Sequence, residues 1–231
     1  MANGKSTGRK ARAYALTKGA ALTGTSATML KGIWYYVAAV DASASTIPTN
    51  VGVGRAFLCS KEATLGAADS LIPLSLSMYG FARDKSLDAS KTVQDATTDI
   101  DEETDQISDG LVTKSGTING YDLVDSPTAL LKAQFQHTLV ATASAGQADS
   151  IAKTEISTPK QLIMLDWTGE DVGEGDPIVV DIMPVIFTSM NKGATYGGVN
   201  TLNFNFSCVA DDGTGCKPTH YEGLFRAVVA E

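Results

Sequence analysis

Between Thr201 and Val209 every second residue is apolar: Leu202, Phe204, Phe206 and Cys208 alternate with Thr201, Asn203, Asn205 and Ser207. A period of two belongs to a β-strand with one buried face. A slip of one residue would put the leucine and both phenylalanines in water, so the register of this strand is strongly specified. The same signal recurs in Ser70–Tyr79, where Leu74, Leu76 and Met78 alternate with Ser75 and Ser77. Pro73 suits an edge or a strand start there, because proline has no N–H to donate to a ladder.

Other segments are apolar without alternation. Lys31–Val40 runs through Ile33, Trp34, Tyr35, Tyr36 and Val37, and Ile178–Thr188 is almost continuously apolar. Such runs read as strands covered on both faces or lying at an interface. Pro184 marks a bulge or an edge within the second. Arg55–Ser60, Gln161–Trp167 and Gly223–Ala230 supply further strands. One helix is predicted over 127–137. Ser126 is its N-cap, Pro127 takes the first helical position, and Leu130, Leu131 and Phe135 form a narrow apolar stripe. About eight to ten strands and one helix predict a mainly β fold, a β-sandwich or partly closed barrel with a flanking α-helix.

Charge divides the 231-residue chain. Its net charge is −8, yet residues 1–40 hold Lys5, Arg9, Lys10, Arg12, Lys18 and Lys31 and no acid. Residues 1–28 read as a basic N-terminal arm, and 29–231 as a single β domain with 43% hydrophobic residues in the chain for its core. The acids concentrate in Thr92–Tyr121, TVQDATTDIDEETDQISDGLVTKSGTINGY. Asp95, Asp99, Asp101, Glu102, Glu103, Asp105 and Asp109 follow one another there without a Lys or Arg. Two strands joined by a long acidic loop, about 95–110, suit a subunit that presents a loop to copies of itself. The strand faces are Thr-, Ser- and Asn-rich, where Lys and Glu would normally block edge-to-edge pairing.

The residues do not arrange themselves for chemistry. Cys59, Cys208 and Cys216 are odd in number and irregularly spaced, which suits a reducing compartment and no disulfide framework. No CxxC pair accompanies Cys208, Cys216 and His220, so a zinc site is not expected. Asp99–Glu103 lacks the glycine and the spaced glutamate of a calcium loop. His137 and His220 are the only histidines, His137 reads as a helix C-cap, and no G-x-S-x-G is present. No apolar run approaches the roughly 20 residues of a membrane helix. Neither an enzyme nor a bound cofactor, metal or membrane is expected.

The order of these features resembles that of bacteriophage major tail proteins, the tail tube subunits. The resemblance lies in TVQDATTDIDEETDQISDGLVTKSGTINGY followed by SPTALLKAQF, and in DPIVVDIMPVIFTSMNKGATYGGVNTLNFNFSCVADDG, spanning roughly residues 50–212. It implies a structural virion protein, made in the bacterial host cytoplasm, that closes into hexameric rings. The rings stack into a tube, contact other tail proteins, and let DNA pass at ejection without specific binding. On this reading the seven acids of the loop make subunit contacts or face the lumen. Lys5, Arg9, Lys10, Arg12 and Lys18 dock the arm on an acidic neighbour. The alternatives are another self-assembling β-sandwich (capsid decoration, tail completion or secretion-system tube protein) and a carbohydrate- or calcium-binding jelly roll.

Overall fold

The computed structural model describes residues 12–80, 82–95, 106–122, 160–168, 175–194 and 200–224, with Phe135, Gly173 and Gly198 as single positions. The fold is mainly β, organised as a curled half-barrel sheet. Its strands are β1 (Arg12–Lys18), β2 (Leu22–Thr23), β3 (Thr28–Met29), β4 (Trp34–Ala39), β5 (Ala56–Leu58), β6 (Ala63–Thr64) and β7 (Ser70–Met78). Then follow β8 (Ala82–Asp95), β9 (Gln106–Tyr121), β10 (Gln161–Asp166), β11 (Pro177–Gly193), β12 (Thr201–Cys208) and β13 (Thr219–Leu224). Eleven of them form one sheet in the order β5-β4-β7-β1-β10-β11-β12-β9-β8, with β13 on β11 and β2 on β7; β3 and β6 pair separately.

The first half of this sheet curls until its ends meet. Lys217 N–H donates to Gly54 C=O at 2.8 Å, Ala56 N–H donates to Thr219 Oγ1 at 3.1 Å, and Arg55 donates to Pro218 C=O. The seam encloses Leu16, Trp34, Tyr36, Leu74, Leu162, Met164, Val180, Ile182 and Cys216. Trp34 meets Tyr221 edge-on across it, with ring centroids 5.0 Å apart. The opposite sheet face buries Ile163, Leu165, Met183, Val185, Phe187, Leu202, Phe204 and Phe206. This explains the unbroken apolar run Leu162–Leu165. Its alternate residues serve two cores, so no polar face is left to show a period of two. A third cluster, around Tyr35, Val37, Phe57 and Leu71, lies under the loops between β2 and β7.

Of the three prolines in the described strands, Pro177 opens β11, and Pro73 and Pro184 sit where the sheet changes neighbour. N–H and C=O of one residue point to the same edge of a strand. Pro73 C=O accepts from Gly19 N–H at 2.8 Å, so its missing N–H faces the gap between the pairs Lys18↔Leu74 and Leu22↔Leu71. Pro184 C=O accepts from Val209 N–H at 3.0 Å, facing the gap between Ile182↔Thr219 and Val185↔Cys208. No ladder bond is lost at either site. The bulge expected at Pro184 lies further on, between Phe187 and Ser189.

Other expectations need correction. Arg12–Lys18, read as part of the arm, is a strand in the middle of the sheet, paired with β7 on one side and β10 on the other. Ala13 is fully buried and Leu16 nearly so; the small residues of this strand gave little hydrophobic signal but fit a close approach between sheets of side chains. Residues 22–29 add β2 and β3, and only 1–11 of the arm lie outside the described residues. The last described strand is Thr219–Leu224, and the strand expected over 223–230 lies outside the described residues from 225 on. The helix expected over 127–137 lies outside the described residues except Phe135, whose ring centroid is 6.0 Å from that of Phe204.

Candidate assembly surface

Strands β8 and β9 pair antiparallel from Ala82↔Gly120 to Asp95↔Gln106. At about 3.3 Å per residue this hairpin is roughly 45 Å long. Its inner half continues the sheet through β12, in register from Ser115↔Ser207 to Tyr121↔Thr201. Gly116 permits the close approach: a Cβ there would stand 2.1 Å from Ser86 O and 2.6 Å from the Phe206 ring. Further out, residues 109–111 of β9 stand against Thr92 alone between the pairs Lys91↔Val112 and Val93↔Ser108, an irregularity of the kind that twists a ribbon.

The loop expected over 95–110 is therefore shorter, because strand pairing reaches Asp95 and resumes at Gln106. Asp95 and Asp109 lie within strands, and Asp99, Asp101, Glu102, Glu103 and Asp105 lie outside the described residues. Cross-strand bonding overrode the poor strand preference of Asp and Gln. Of the arm cations, Lys5, Arg9 and Lys10 lie outside the described residues. Arg12 stands 4.0 Å from Asp166 within its own chain. Lys18 donates to Asp212 and Thr214. Asp212 also accepts Thr214 N–H and Cys216 N–H, both at 3.0 Å. Burial pushes the Asp212 carboxyl up, but these donors outweigh it and hold its pKa at about 2. Lys18 closes the barrel and is not available to a neighbour.

The two faces of the hairpin differ in kind. Ile118 and Gly116 are buried on the Phe204–Phe206 side, which strand alternation shares with Lys85, Leu87, Ala89 and Lys91 of β8, Lys114 of β9 and Lys192 of β11. The other face carries Asp84, Ser86, Asp88 and Ser90, then Thr113, Ser115, Thr117 and Asn119, then Asn203, Asn205 and Ser207. Hydrogen bonds tie these side chains sideways. Ser86 meets Thr117 at 3.0 Å, Ser90 meets Thr113 at 2.9 Å, Asn119 donates to Thr117 at 3.3 Å, and Asn205 donates to Ser189 at 2.7 Å.

At its root the hairpin is latched to the body. Lys85 Nζ donates to Asp166 C=O and sits 4.9 Å from the Trp167 ring centroid, a cation–π contact. Burial lowers the Lys85 pKa, opposed by Asp166. Arg83 lies 5.1 Å from the Tyr121 ring centroid. Trp167 also donates its indole N–H to buried Asp181 at 2.7 Å. Asp181 contacts His220 Nδ1 at 3.0 Å, and Glu222 contacts His220 Nε2 at 3.1 Å. Sequence reasoning missed Asp181, because a lone acid in an apolar run carries no partner signal until β13 pairs it with His220.

Among the described residues several stretches of strand edge are unpaired, among them 106–114 of β9 on its β12 side and 186–193 of β11 on its β10 side, and two others differ in kind. The outer edge of β8 has no partner along its length. On β7, pairing with β4 ends at Leu74, so Ser75–Met78 is bonded on the β1 side alone. All four of these residues are exposed, Leu76 to 39% and Met78 to 55%, and none is charged. Among the described residues no group of three His, Cys, Asp or Glu is placed to hold a metal. No protein-family model matches the chain, and no curated protein matches it.

Proposed function

We propose that this protein is a self-assembling structural subunit, a phage tail tube protein whose copies close into hexameric rings and stack into a conduit for DNA. The observation that carries the reading is the open outer edge of the fourteen-residue strand β8. Unpaired N–H and C=O groups along a long edge are a template for a further strand, and a monomer normally shortens or covers such an edge. The second open edge, Ser75–Met78, differs from β8 in length and sequence. Joining one to the other is a head-to-tail contact, which closes into a ring when the rotation per subunit allows. The order of segments shared with tail tube subunits supports the same conclusion.

The finer features follow from that reading. On that reading 127–137 forms the flanking helix of a sandwich, in keeping with the Phe135 ring beside Phe204. The acids between β8 and β9 in sequence serve contact with an adjacent ring on this reading. The protein acts in the virion without catalysis or cofactor, beside other tail proteins. Electron microscopy of the purified full chain tests this. Rings or tubes with a central channel are expected, and a monodisperse monomer at high concentration overturns the reading.

A further inference from the structure

We infer that the sheet face bearing Asp84 and Asp88 lines the channel, and that the passing polyanion slides over it. This rests on the tube reading and assigns a direction to the subunit within it. From Asp84 outward, the β8 positions of this face are Asp84, Ser86, Asp88 and Ser90, and those of β9 inward from Thr113 are Thr113, Ser115, Thr117 and Asn119. Asn203, Asn205 and Ser207 of β12 and Ser189 and Asn191 of β11 continue it. None of these residues is a cation. The Lys residues of the same strands, Lys85, Lys91, Lys114 and Lys192, all take the alternate positions. Arg83 is the exception at the root: it stacks on Tyr121, which strand alternation puts on the same face as Asn119, so the cation-free stretch runs outward from Asp84.

A sheet whose charges were scattered for solubility would mix signs on both faces. Here the strand period sorts them. Duplex DNA carries a charge about every 1.7 Å, and each phosphate met by a Lys or Arg adds salt-dependent affinity. A conduit needs the reverse: no cation to grip and a few acids to repel. The neutral groups contribute as well. Ser86, Thr117 and Asn119, Ser90 and Thr113, and Asn205 and Ser189 spend hydrogen-bonding capacity on one another. Fewer donors are left to bind phosphate. The sequence-based expectation put lumen acids in the 95–109 stretch; the charge sorting puts them on β8.

Engineered cysteines on the full chain test the assignment. Native Cys59 and Cys216 are buried and Cys208 is partly so, giving a low background. In assembled tubes Ser90→Cys should react with a small maleimide but be shielded from one carried on a long polyethylene glycol, while unassembled subunits react with both. In parallel, tubes of Asp84→Lys/Asp88→Lys should bind duplex DNA with a steeper salt slope, by about 0.9 for each phosphate met and so up to about 2 for every subunit that touches the duplex. Tubes whose Ser90→Cys takes the bulky reagent as fast as free subunits overturn this assignment alone, as does an unchanged salt slope in shielded tubes. Failure of the unmodified protein to form rings overturns the tube reading itself, and this inference with it.

Discussion

His220 shows how little of a side chain's behaviour its own position reveals. It stands half exposed on β13, yet both ring nitrogens are engaged by carboxylates, Nε2 by Glu222 and Nδ1 by Asp181. Glu222 first and Asp181 second raise its pKa above 6.5, against a smaller opposing effect of burial. A group whose folded pKa is raised stabilises the fold fully below its unfolded value of 6.5, and that contribution is lost as pH rises through the folded value. Stability should therefore fall from pH 6 towards the alkaline side of neutrality, and His220→Gln should flatten the profile over that window. Because Trp167 donates to the same Asp181, its fluorescence should report the titration. A melting temperature that rises over this range in the native chain would contradict the linkage. Two further carboxylates have the opposite sense. Asp41 accepts N–H donors from Ser43 and Ala68, which bring its pKa to about 2. Asp69 is buried, which alone would raise it, but N–H groups of Asp41, Thr46 and Gly66 hold it low. Together they clasp the loop between β4 and β7, stabilising it above the ordinary carboxylate range and releasing it as pH falls.

At the level of elements, the hairpin depends on one glycine. Gly116 lies opposite Leu87, and no side chain fits between Ser86 C=O and the Phe206 ring. Gly116→Ala should push β8 away from β12 and cost about 1–3 kcal/mol in chemical denaturation, the range for overpacking. Ala substituted at nearby Ser115, which is exposed, should cost far less. Equal effects at the two positions would show that the close approach does not matter. The same elements show which parts of the fold a reader of the sequence could see. β12 was legible because it buries one face, and burial of one face writes a period of two. In β7 the alternation of Leu74, Leu76 and Met78 marked a strand correctly but not its buried face, since Leu76 and Met78 are exposed and Leu71 and Leu74 are the buried residues. The strand β1 was not legible. Its residues Ala13 and Ala15 are small, its neighbours are cations, and what makes it central is pairing with strands more than fifty residues away. β8 was half legible. Its alternating signs, Asp84 against Lys85 and Asp88 against Lys91, follow the strand period, but only the register with β9 and β12 says which sign faces the core.

For the whole molecule, the question is whether copies associate through one surface or two. A self-complementary patch makes a closed dimer, whereas two different patches make a ring or a fibre. Two dissimilar open edges, β8 and Ser75–Met78, predict the second case. Leu76→Lys/Met78→Lys tests it, since both side chains are already exposed and their replacement should leave the melting temperature nearly unchanged. Charges on an edge strand are the usual device against pairing, so this variant should form no rings. It would still offer an intact β8. Mixed with the native chain, it should therefore add to one end of a growing arc and stop it there, shifting the population from rings to short arcs in electron micrographs and light scattering. If the patch were self-complementary, the variant would be a bystander and native assemblies would persist at full size beside it. Arc termination would locate the second half of the contact, and undisturbed native rings would remove β7 from the interface while leaving the edge of β8 in place.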